Sequence, residues 1–85
     1  MAYVIINVKA GTGEEVLEDL VKLEGVTEAC LVYGIYDILC KIEVDNMGRL
    51  KEAVARIREL DNVRLTQTLL VYKTFPSNTP YFIDR

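Results

Sequence analysis

Short continuous apolar runs and apolar stripes at helical spacing follow one another along this chain, and the places where one gives way to the other mark out six elements. Tyr3 to Val8 is short, apolar and rich in β-branched residues, the pattern of a strand, and it stops at Lys9-Ala10-Gly11. Thr12 with Glu15 three residues on has the form of a capping box, which predicts a helix start. Its apolar stripe is Val16, Leu17, Leu20, Val21 and Leu23, with Glu14, Glu15, Glu18, Asp19 and Lys22 turned to solvent. Gly25 follows and suits a C-terminal cap. Val26 to Tyr33 and Asp37 to Val44 read as two more strands, leaving Gly34-Ile35-Tyr36 as a hairpin loop. Asp45-Asn46-Met47-Gly48 caps a second helix with the stripe Leu50, Ala53, Val54, Ile57 and Leu60, and Glu52 and Arg56 sit four apart on its outer face. Asp61-Asn62 ends that helix, and Val63 to Tyr72 is the last strand. Lys73 to Arg85, with Pro76, Pro80 and Ser77-Asn78-Thr79, reads as a tail that lies along a neighbouring chain.

Each half of the chain is thus strand, helix, strand, and both halves close on an apolar-apolar-Tyr run, Leu31-Val32-Tyr33 and Leu70-Val71-Tyr72. Two such units with right-handed crossovers give a ferredoxin-like α+β domain over residues 1–72, with two helices on one face of a four-stranded antiparallel sheet. Two helices cover one face only. Yet the strands do not alternate: Tyr3-Val4-Ile5-Ile6, Ala29-Cys30-Leu31-Val32-Tyr33 and Leu69-Leu70-Val71-Tyr72 are continuous, and only Lys41 and Glu43 interrupt the third. The other face then carries more apolar surface than monomers usually expose, so a homo-oligomer is expected.

Composition narrows the classes. Eighty-five residues allow one core, and a lone core of that size is marginal, which again points to assembly. With no histidine and two cysteines, neither a metal site nor a disulfide scaffold is expected, and no cofactor. A net charge of −3 weighs against direct DNA binding, and no apolar run reaches a membrane span's length. The beginning reads as a strand and not a leader, so a cytoplasmic setting is the default.

Gly34-Ile35-Tyr36-Asp37 is the most specific local feature: loop N–H groups around a glycine can hold an anion, and an aspartate beside them an ammonium, which together suit a free amino acid. A plain hairpin turn with Asp37 accepting backbone N–H bonds explains the same residues. Thr66 and Thr68 stand two apart in a strand and share a face, as strand propensity alone also allows. A three-residue loop would put Cys30 opposite Cys40, where both act as small apolar thiols. No nucleophile triad, phosphate loop or dinucleotide motif is present.

Val26 through Tyr36-Asp37-Ile38-Leu39, then the second helix, then Val63-Arg64-Leu65-Thr66-Gln67-Thr68-Leu69-Leu70 together resemble the effector (RAM) domain of the Lrp/AsnC family of amino-acid-responsive regulators, over roughly residues 2–72. The Gly-x-aromatic-Asp loop and the Val-x-x-Thr-x-Thr run are the most recognisable pieces. Asp61-Asn62 stands where the family often has Pro-Gly. The resemblance implies sheet-to-sheet dimers assembling into rings, and an amino-acid ligand between dimers. Its pocket would use Gly34, Tyr36 and Asp37 with Thr66 and Thr68, flanked by Tyr33 and Ile35. It further implies a stand-alone version without the family's winged helix-turn-helix, acting on a full-length regulator. A small dimeric ferredoxin-like enzyme of the monooxygenase or isomerase type shares the paired sheet but needs polar groups in a deep cavity. An ACT-type regulatory domain, normally beside an enzyme domain, is the third reading.

Overall fold

The structure, a computed structural model that describes residues 1–77, runs β1 (Ala2–Val8), α1 (Gly13–Leu20), β2 (Val26–Leu31), β3 (Ile38–Ile42), α2 (Met47–Glu59) and β4 (Val63–Leu70). All strand pairs are antiparallel, in the order β2-β3-β1-β4. Alternation sorts the side chains. Ala2, Val4 and Ile6 of β1 and Ile38, Cys40 and Ile42 of β3 share one buried cluster with Val16 and Leu20 of α1 and Leu50, Ala53 and Ile57 of α2. Both helices therefore lie on one side of the sheet, the ferredoxin-like arrangement.

Residues opposed in an antiparallel register share a face, so the pairing assigns the uncovered side. Tyr3 faces Leu69 and Lys41, Ile5 faces Gln67 and Leu39, and Asn7 faces Leu65. That side is narrower in apolar content than the sequence suggests. Val32, Tyr33, Val71 and Tyr72 fall outside the strands. Tyr3, Ile5 and Leu39 form a half-buried apolar stripe with the exposed Leu65 and Leu69 beside it.

Three local expectations are corrected. Thr12 is the N-cap of α1, but its hydroxyl donates back to the Lys9 carbonyl at 2.6 Å and makes no cap bond, so the capping box does not form. The α1 helix ends at Leu20, where its last bonds tighten to three-residue spacing (Lys22 N–H to Asp19, Leu23 N–H to Leu20), and this leaves Val21 55% exposed. Gly25 serves the turn into β2 instead: its φ is +94°, and a Cβ there would come within 2.9 Å of Val44. In α2 the cap is as expected, Asn46 accepting from the Arg49 N–H at 2.8 Å. Asn62, at φ 75°, then turns the chain into β4.

The hairpin loop spans six residues, 32–37, and not three. Cys30 accordingly opposes Leu39 while Cys40 opposes Ala29, so the two thiols point to opposite faces and both are free. The proposed lie of the tail falls mostly on residues 78–85, outside the described residues. Among the described residues no helix is long and apolar enough to cross a membrane, and no cluster of three metal-ligating side chains occurs.

Candidate functional site

A closed ring of backbone bonds defines the loop after β2. The Val32 N–H donates to the Asp37 carbonyl at 2.9 Å, and the Asp37 N–H donates to Ile6 of β1 at 3.0 Å. The Asp37 carboxylate is spoken for as well: one oxygen accepts from the Val8 N–H at 2.9 Å, half-buried at the end of β1. Asp37 thus holds backbone as the turn reading required, but the backbone is that of a distant strand and not of its own loop. Its second carboxylate oxygen makes no hydrogen bond among the described residues. Between these anchors the chain is free to present itself. Gly34 has φ +137° with open space around it, and Tyr33 and Ile35 are exposed. Tyr36 reaches across β1, its hydroxyl 3.4 Å from the Gln67 amide oxygen of β4.

Thr66 and Thr68 lie elsewhere. They oppose Ile6 and Val4, so both face the helix side of the sheet. Arg58 of α2 donates from Nε to the Thr66 hydroxyl at 3.1 Å. The Thr68 hydroxyl is buried without a hydrogen-bond partner among the described residues. It borders an open cleft of about 320 Å³ between α2 and the edge strand β4. Within one chain the loop residues come together and the two threonines come together, but the sheet separates the two groups. Sequence parity pairs the threonines; which face they take depends on the register with β1, which no local pattern encodes.

Other features support no chemistry. Burial pushes the Cys40 thiol up to about 11, with nearby Cys30 adding to the effect, so it is no nucleophile at neutral pH. The cleft lined by Glu24, Arg49, Glu52 and Arg56 mixes both signs of charge on exposed side chains. Asn7 on the uncovered face has a buried amide oxygen without a partner among the described residues.

Comparison with known proteins follows the same lines. Residues 1–81 match the Lrp/AsnC ligand-binding domain. The HTH-type transcriptional regulator FL11 of Pyrococcus abyssi is 35% identical over 79 residues, covering 93% of this chain and 52% of that protein. The chain spans about half the length of the curated relatives of this kind that it matches. TTHA0845 from Thermus thermophilus superposes with a TM-score of 0.83 at 27% identity, covering 89% of this chain and 96% of that one. The transcriptional regulator NMB0573 of Neisseria meningitidis, solved as a complex with L-Met, shares the fold, with a TM-score of 0.77 at 18% identity over 89% of this chain and 51% of that one.

Proposed function

The chain belongs to the Lrp/AsnC ligand-binding domain family, and from that premise we propose that it works as an amino-acid sensor assembled from copies of itself. The observation that carries the proposal is the separation of the two residue groups. The Gly34-Ile35-Tyr36-Asp37 loop and the Thr66/Thr68 pair are the polar features suited to a small zwitterion, yet one subunit keeps them apart. A second copy, brought up so that its loop meets the α2/β4 cleft of the first, completes a site. Loop N–H groups near Gly34 then take the carboxylate, the second oxygen of Asp37 takes the ammonium, and Thr66 and Thr68 supply hydroxyls from across the contact. Tyr33 and Ile35, exposed on the loop, flank it.

Two kinds of contact follow: sheet-to-sheet dimers on the stripe around Ile5, and dimer-to-dimer contacts at the ligand. The role is binding and not catalysis, in keeping with a relative that is a transcriptional regulator and with a core thiol held protonated. The partner is a full-length regulator of the same family. The complex of NMB0573 with L-Met supports an amino acid as the ligand class.

The test is a thermal-shift screen of the intact chain against the twenty amino acids, with sedimentation velocity on each hit. Because the site spans two copies, a bound ligand and higher assembly raise each other's affinity. One or a few amino acids should raise both the melting temperature and the assembled mass. A ligand that stabilises the chain and leaves its mass unchanged places the site within one subunit and rejects this reading.

A further inference from the structure

The cleft between α2 and β4 has a chemical bias that bears on which amino acid it takes. Its walls are apolar, from Met47, Leu50 and Val54, and its charged lining is all of one sign, Lys51 and Arg58, with no carboxylate. Neither cation is neutralised: among the described residues no ion pair involves Lys51, and Arg58 is held through Nε by an uncharged hydroxyl. That bond steadies the guanidinium while leaving its terminal nitrogens to donate elsewhere. At the border of the cleft sits the Thr68 hydroxyl, buried and unpartnered among the described residues, a group whose burial costs free energy until something bonds to it. In a chain whose net charge is −3, two unpaired cations around an apolar cleft stand against the general trend.

We propose that this cleft selects a ligand whose side chain ends in a carboxylate, a dicarboxylic amino acid, over its neutral or cationic counterparts. This rests on the reading above, in which the loop of a second copy holds the ligand's α-amino and α-carboxyl groups. The side chain then runs along Leu50 and Val54, and its carboxylate meets Lys51 and Arg58 with Thr68 beside it. A cationic side chain in the same place faces two like charges and no acceptor but hydroxyls, so the cleft discriminates by repulsion as well as attraction.

Calorimetry on the intact chain tests this with glutamate and aspartate, their isosteric amides glutamine and asparagine, lysine, leucine, and glutarate, which has two carboxylates and no ammonium. At least a tenfold preference for an acid over its own amide is expected. Lys51→Met should cut that preference several-fold, and Lys51→Glu, which cancels the remaining charge of Arg58, should abolish it. Lys22→Glu, an equal charge change on the exposed turn after α1, should leave it standing. Circular dichroism on each variant confirms that the exposed substitutions leave the fold intact. Binding of leucine or an amide as tightly as the acids overturns the selectivity while leaving an amino-acid site in place. Lys51-dependent binding of glutarate, with no amino acid bound, upholds the anion-binding cleft and rejects the amino-acid site. No binding by any of the acids rejects both.

Discussion

The carboxylate of Asp37 closes a 2.9 Å hydrogen bond onto the backbone N–H of Val8, tying the entrance of β3 to the exit of β1 across 29 residues of sequence. This one bond gives Asp37 a structural duty beside the ligand-binding one proposed for it, and the two can be separated.

Asp37→Ala orphans a half-buried N–H, which costs about 1–3 kcal/mol. For a domain of this size that lowers the melting temperature by roughly 4–8 °C per kcal/mol. Asp37→Asn keeps an acceptor oxygen while removing the charge, so it should melt close to the parent yet bind its amino acid about ten- to a hundredfold more weakly, the loss of a charge-assisted bond of ~1.5–3 kcal/mol. Paired thermal melts and calorimetry decide it. An Asn variant that binds like the parent removes Asp37 from the site.

The two helix starts predict opposite sensitivities. Asn46 accepts from the Arg49 N–H, whereas Thr12 caps nothing with its side chain. Asn46→Ala should cost about 1 kcal/mol, within the range of roughly 0.5–2 kcal/mol for lost caps, and Thr12→Ala clearly less. Urea midpoints at constant slope measure the difference.

Ile5 sits at the middle of the uncovered stripe, between Leu39 and Gln67. Ile5→Asp leaves the helix-side core alone and puts a charge where a second sheet is proposed to pack. Sedimentation equilibrium should then show the assembly shifting toward 9.7 kDa monomer with a drop in stability, because the interface supplements a small core. A parent chain that is already a stable monomer at micromolar concentration would defeat the premise.

Cys40 sets a pH dependence at the alkaline end. Its thiol titrates near 11 in the folded chain against an ordinary value of 9.0. The unfolded chain therefore loses its proton first, and stability falls as pH rises from about 9 toward 11, being fully present below that window. Cys40→Ala should flatten this part of the profile in chemical denaturation, relative to the parent. Thiol labelling of the native protein should modify Cys30 well before Cys40, which is fully buried.

Much of this was readable in the residues. The six elements and their order follow from the short β-branched runs of the strands and from the apolar stripes of α1 and α2, because burial on one face of a helix imposes that period. The pairing of Thr66 with Thr68 is likewise a matter of parity. What could not be read is whatever depends on a partner far along the chain. The ends of β2 and β3 are set by Asp37 reaching Ile6 and Val8, so the loop came out twice as long as the sequence suggests, and Cys30 and Cys40 separated with it. The capping box at Thr12 met a competitor in the Lys9 carbonyl, 2.6 Å from the hydroxyl. The cations of the cleft, Lys51 and Arg58, look like ordinary solvated helix residues until β4 is laid beside them.

That last strand separates two surfaces by no more than the thickness of a peptide. Leu65, Gln67 and Leu69 look toward the bare side of the sheet, while Thr66, Thr68 and Leu70 look toward α2. Under the function proposed, substitutions walked along β4 one position at a time would alternate in what they disturb, odd numbers loosening the proposed pairing of sheets and even numbers the proposed ligand site, like two messages written on alternate lines of one page.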